Sequence, residues 1–247
     1  MTMADAPRHP NQIEWERYAW GIALNYNVGF WTPWGPIELL KNGLRSLRKA
    51  GWERIGIEHP YLKPELYHNA WVGQIRGIGE VGGLLSGPRR HTRGVPPKWK
   101  QEWYLELSLS AFWSDMAQNS DDPLYARKAA VLDRWMLRYL YSVCASAPFA
   151  YAGIQFEDSV PSPEELMRGS YGDWPFLCLC LSTAEYSQAD LEELATVYAE
   201  GSVDRQPTFW CFTSEACYNR RGRSFAISKS AQRAIASVLL RRFETGR

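Results

Sequence analysis

The stretch Asp121–Pro148, DDPLYARKAAVLDRWMLRYLYSVCASAP, constrains the fold more than any other part of the chain. Asp121 or Asp122 can cap a helix by accepting from its free backbone N–H groups. Pro123 then falls at the first helical position, where its missing N–H costs nothing. Val131, Leu132, Trp135, Met136, Tyr139, Leu140, Val143 and Cys144 recur at the three-four spacing of one helical face. Arg127, Lys128, Arg134, Arg138 and Ser142 fall mostly on the other. Pro148 forbids continuation, because it lacks the donor for the helical ladder. Such a helix must bury its apolar face. Strand-like text at 102–113 before it and 149–156 after it supplies the surface.

The remaining elements follow in order. Residues 1–13 are polar, carry Pro7 and Pro10, and read as a flexible N-terminal tail ahead of a single domain over 14–247. Between Trp15 and Trp31, Tyr18, Trp20, Ile22, Leu24 and Tyr26 alternate as on a first strand. Trp31-Thr-Pro-Trp-Gly-Pro36 is a rigid turn. Ile37–Ala50 then reads as a helix with Leu39, Leu40, Leu44 and Leu47 inward and Arg45, Arg48 and Lys49 near its C-terminal end. Trp52–Glu58 suggests a short strand. Gly73–Gly87 holds six glycines and reads as a flexible hairpin or loop, and Pro88–Lys100 as a basic connection. Glu102–Trp113 alternates, with Trp103, Leu105, Leu107 and Leu109 on one face.

Beyond the long helix, Phe149–Phe156 suggests a further strand. Ser162 and Pro163 mark the start of a short helix, and Trp174–Leu181 (WPFLCLCL) has the continuous apolarity of a strand buried on both faces. Gln188–Glu200 reads as an acidic helix and Thr208–Thr213 as a strand. Ser228 or Ser230 caps a last helix, with Ile235, Val238, Leu239 and Phe243 inward. Strands and helices come without regular alternation. That order predicts an α+β fold, a largely antiparallel or mixed sheet with several packed helices.

Composition narrows the function classes. The N-terminus lacks a signal-peptide core, and no run approaches the roughly 18 apolar residues of a membrane helix, so a soluble, cytoplasmic protein with no membrane partner is expected. Five cysteines at 144, 178, 180, 211 and 217 form no regular framework; the first four sit in apolar runs and read as small buried hydrophobes. The 12 Trp, 13 Tyr and 9 Phe suit a large core, with some left for a partner surface.

Candidate chemistry is sparse. Gly77-Ile-Gly79-Glu-Val-Gly82 has the letters of a dinucleotide fingerprint but lacks the helix that must follow, so no cofactor is expected. His9, His59, His68 and His91 make no ligand-spaced pair, and no metal site is expected. No nucleophile elbow occurs, and the chain reads as a non-enzyme. An unrecognised site around His59, His68 and the glycine-rich segment is the enzymatic alternative.

Charge distribution carries more information. The chain has 28 basic and 27 acidic residues, yet between 157 and 204 Arg168 is the only base among Glu157, Asp158, Glu164, Glu165, Asp173, Glu185, Asp190, Glu192, Glu193, Glu200 and Asp204. Either this block meets a cationic partner, or it packs against the basic remainder and is neutralised there. The arginines and lysine near the C-terminus, Arg220, Arg221, Arg223, Lys229, Arg233, Arg241 and Arg242, carry the alternative reading, a nucleic-acid-binding module, although nucleic acid is not the expected partner.

The Trp31-Thr-Pro-Trp-Gly-Pro36 turn, after a Trp/Tyr-rich first strand and before an amphipathic helix, resembles immunity protein family 52 of bacterial polymorphic toxin systems. The resemblance implies an immunity protein that neutralises a cognate secreted toxin, a restriction-endonuclease-like nuclease effector, for example of a type VI secretion system. A nuclease surface must be positive to hold phosphates, and carboxylates complement it. Glu157, Asp158, Glu164, Glu165, Asp173, Glu192 and Glu193 are the candidate contacts, with Trp174 as aromatic anchor.

Overall fold

The computed structural model describes residues 25–55, 69–90, 102–110, 123–156, 160–169, 178–198, 201–213 and 228–244. Among them run strands β1 (Asn25–Thr32), β2 (Glu53–Ile55), β3 (Asn69–Ile75), β4 (Gly79–Arg90), β5 (Trp103–Ser110), β6 (Tyr151–Phe156), β7 (Cys178–Ser182), β8 (Ser202–Arg205) and β9 (Phe209–Thr213). The helices are α1 (Pro36–Lys49), α2 (Pro123–Cys144), α3 (Pro163–Arg168), α4 (Gln188–Val197) and α5 (Lys229–Glu244). The strands form one sheet in the order β2-β3-β4-β5-β1-β6-β7-β9-β8, and the pairings are antiparallel. The fold is α+β, as the order of elements predicts.

Alternation along the strands builds two cores. Val28 and Phe30 of β1, Leu105, Leu107 and Leu109 of β5, Ile154 of β6, Cys178 and Cys180 of β7 and Phe209 of β9 face α1 and α2. Trp31, Tyr104, Tyr151, Leu179, Leu181, Trp210 and Phe212 face the opposite way, toward α3, α4 and α5. β7 and β9 are thus covered on both sides, which is why their text is continuously apolar.

The long helix docks as its spacing requires. Leu132, Met136, Leu140 and Val143 of α2 are fully buried, and Trp135 packs at the edge of the same core. Trp135 lies between Trp52 (centroids 4.7 Å) and Tyr139 (5.8 Å), and Tyr139 meets Phe30 of β1 edge-on at 6.2 Å. This ring ladder ties the glycine-rich hairpin to the centre of the sheet through α2.

The glycine-rich segment is a two-stranded hairpin, β3 and β4, and its glycines have packing reasons. Trp52 lies across the pair: a Cβ on Gly73 would overlap its indole, and one on Gly83 would stand 2.8 Å from it. The turn uses positive φ at Gly77 (95°) and Gly79 (111°). Strand β4 also corrects an expectation. Pro88 does not begin a loop, because the register shifts between Ser86 and Arg89, Gly87 takes φ 93°, and pairing with β5 resumes through Arg90. A bulge absorbs the proline that a regular ladder could not. Strand β8 was not anticipated: its short, half-exposed text SVDR has little periodicity.

One polar contact is buried between the layers. Arg242 of α5, 5% exposed, sits between the carboxylates of Glu102 and Glu185; Glu185 lies 2.9 Å away. Burial opposes charge on Arg242, but these carboxylates and the neighbouring Tyr186 and Tyr151 hold its proton. Removing one member of a buried cluster strands the others' charge.

Arg242→Met is therefore expected to cost about 3–5 kcal/mol in urea unfolding, with much of the loss recovered when Glu102→Gln and Glu185→Gln are added. Equal losses in both backgrounds would show that Arg242 contributes packing alone. Gly73→Ala should cost about 1–3 kcal/mol by overpacking against Trp52, and the cost should fall in a Trp52→Leu background.

Candidate functional site

The described residues of the acidic segment form α3, β7, α4 and β8, and its two helices lie on the sheet face that α5 also covers. Each helix starts with a reciprocal cap. In α3, Ser162 N–H donates to Glu165 (2.7 Å) while Glu165 N–H donates to the Ser162 hydroxyl (3.2 Å). In α4, Ser187 and Asp190 do the same at 3.1 and 3.2 Å. Carboxylates near a helix start also meet the positive end of its dipole. Part of the acidic excess is thus used to begin helices.

Most of the other described carboxylates of the segment are neutralised from within. Arg241 of α5 donates to Glu193 through both terminal nitrogens (2.6 and 2.8 Å) and to Asp190 (3.0 Å). Arg242 takes Glu185 and Glu102. Arg168 pairs with Glu164 one turn earlier on α3. Arg205 reaches Glu192 at 3.5 Å across a pair that is half exposed on both sides. Packing of the acidic block on the basic C-terminal helix is therefore the arrangement found. Arg241 and Arg242 are committed to carboxylates rather than presented to nucleic acid.

Four of the eight candidate contacts fall among the described residues. Glu164 is buried, Glu165 is exposed but engaged in its cap, Glu192 is exposed, and Glu193 is held by Arg241. They lie on two helices, α3 and α4, that both lean on α5. Glu157, Asp158, Asp173 and Trp174 lie outside the described residues, as do His9, His59, His68 and His91, Arg220, Arg221 and Arg223, and Cys217.

Cys144, Cys178, Cys180 and Cys211 are free thiols buried on the α1–α2 side. Burial pushes the thiols of Cys144, Cys178 and Cys180 up, which disfavours thiolate. Among the described residues no cluster of His, Cys, Asp and Glu is arranged to hold a metal ion. Gly77, Gly79 and Gly82 form the hairpin turn and the start of β4, so no helix N-terminus meets the motif.

Two surface features stand out instead. The first is the turn after β1. Trp31 is buried, its indole N–H donating to the Val160 carbonyl at 3.1 Å and its ring stacked 4.6 Å from Tyr104. Three residues on, Trp34 is 52% exposed, and Ile37 at the start of α1 is 65% exposed. The turn is held between them: the Thr32 hydroxyl donates to the Trp34 carbonyl, Gly35 takes φ 61°, and Pro148 packs beneath Gly35. Exposure of this tryptophan was not evident from composition; its place after the proline of a turn was the available signal.

The second is a groove between α2, the end of α1 and the β3–β4 hairpin. Two adjoining concavities of about 370 and 530 Å³ share Arg76 and Val131. Arg76, Arg127, Lys128 and Arg134 line one, and Lys49, Arg76 and Arg138 line the other, with no carboxylate among the described lining residues. The helical arginines were legible as the polar face of α2; Arg76 joins them only through the hairpin.

No protein-family model, curated protein or solved structure matches the chain. Among the described residues no helix is long and apolar enough to cross a membrane.

The Asp190 network makes a pH-dependent contribution. Burial pushes the Asp190 carboxyl up, but hydrogen bonds from Ser187 and Arg241 overcome it and hold the carboxyl below its usual range. A carboxylate lowered on folding adds stability above its unfolded pKa, about 4, and loses it as pH falls through the folded value. The difference in Tm between the native chain and Asp190→Asn should be steady at neutral pH and close below about pH 4. A gap independent of pH would show that the ionised carboxylate is not the source.

Proposed function

We infer that the chain is a non-catalytic immunity protein that binds and neutralises one cognate secreted toxin of the nuclease type. The observation that carries this reading is the turn from Trp31 to Pro36. The residues that resemble immunity protein family 52 are also those at which the chain displays a large aromatic, Trp34, beside an exposed Ile37. A tryptophan on a braced turn loses little conformational freedom on binding and buries a large area, which is what an interface anchor requires.

Electrostatics support the same partner in a smaller way. Glu165 and Glu192 are exposed on α3 and α4. The half-exposed Glu192–Arg205 pair is weak, so a basic side chain of the toxin can take the place of Arg205 at little cost. Exposed carboxylates speed encounter with a phosphate-binding surface, while the turn supplies the affinity.

The test is co-expression with restriction-endonuclease-like toxin domains from the same genome, scored by growth, with affinity measured on the purified pair. Protection by the native chain is expected. Trp34→Ala should weaken binding at least about tenfold with Tm unchanged, and Glu192→Lys should slow association. Absence of protection and of binding would overturn the reading; full affinity in Trp34→Ala would remove the turn from the interface.

A further inference from the structure

We propose that the groove along α2 is a binding site for the phosphodiester backbone of a nucleic-acid strand. This does not rest on the toxin-binding reading, and it uses a surface away from the C-terminal arginines.

The argument begins with which cations are already used. On the sheet face carrying α3–α5, Arg168, Arg205, Arg241 and Arg242 each meet a carboxylate. On the other face, Lys49, Arg76, Arg127, Arg134 and Arg138 are exposed and make no ion pair among the described residues. The described carboxylates of the acidic segment are thus largely met from within, while these five cations stay exposed around one groove.

The charges also form a line. Arg127, Arg134 and Arg138 stand at i, i+7 and i+11 of α2, which puts them on one face over about 16 Å at 1.5 Å per residue. Arg76 and Lys49 extend that line onto the hairpin and α1. A row of cations fits a polymer with a row of charges, and guanidinium groups bind phosphate oxygens in pairs. The first turn of α2 carries no acidic residue, and its Leu124 lies on the wall of the smaller concavity.

The groove's aromatic rings limit how a strand can be read. Trp135, half-buried in the groove wall, is already packed against Trp52 and Tyr139, so the groove is not built around a free stacking ring. Recognition is by backbone, without sequence preference, and strongly salt-dependent.

The experiment is fluorescence anisotropy of the full chain with labelled DNA of about 20 nucleotides, single-stranded and duplex in separate arms, from about 50 to about 200 mM NaCl. Binding in either arm that weakens with salt is expected, and the tighter arm identifies the form of strand. Arg127→Gln/Arg134→Gln/Arg138→Gln should lower the single-strand salt slope by about 2 and weaken binding roughly tenfold or more. The same change at Lys229 and Arg233 on α5 should do neither, with circular dichroism confirming that both variants are folded. No binding at the lowest salt, native-like binding by the triple variant, or equal displacement by poly-glutamate of matched charge would overturn the proposal.

Discussion

Burial of the central strands on both faces is the constraint from which the rest of this structure follows. An antiparallel sheet with one wet face needs apolar residues at every second position only. Here β1 and β5 to β7 carry buried side chains on both sides, so helices must cover each face. The glycines mark where that covering is tightest: Gly29 leaves room for Tyr104, and Gly73 and Gly83 for Trp52. The long helix answers one face and the three later helices the other. Loss of either layer would expose half of nearly every strand, so the two cores are energetically one.

The same layering sorts the charges. Helix α5 brings Arg241 and Arg242 to carboxylates of the acidic segment 48 to 57 positions earlier in the chain, and Arg242 also to Glu102, 140 positions earlier. The described carboxylates of a stretch that is strongly acidic in linear sequence are thereby largely compensated in three dimensions. Exposed ion pairs such as Glu192–Arg205 contribute little to stability, whereas the buried Arg242 cluster commits the docking angle of α5, because a misplaced guanidinium would leave two carboxylates without a counter-charge. Charge counts along a chain thus report composition, and only packing decides which charges remain for a partner.

What could be read beforehand follows the range of the interaction responsible. Pro123 at the start of α2, the Ser162–Pro163 start of α3 and the inward face of α4 depend on neighbours a few residues away, and each was legible. Strand β8 and the extension of β4 beyond Pro88 depend on pairing with β9 and β5, which no local pattern encodes. The candidate site divides in the same way. The arginines of α2 were visible as a polar face, but their union with Arg76 and Lys49 needed the hairpin and α1 in place. The acids were visible as a block, but their neutralisation needed α5.

Helix α1 links the two surface features mechanically. Its N-terminus carries the braced turn with Trp34, and its last residue, Lys49, lines the groove. It is held to α2 by a Ser46–Ser142 hydroxyl contact of 2.8 Å and by the close approach of Gly43 to Tyr139, where an added Cβ would stand 3.1 Å from the hydroxyl. Pro148, just beyond α2, supports Gly35 in the turn. Both features therefore rest on the same two packed helices, and neither can shift without disturbing the Trp52–Trp135–Tyr139 ladder beneath them. A partner seated on the turn and a strand seated in the groove would consequently meet a rigid surface, so any coupling between them would arise from charge and overlap rather than from a change in fold.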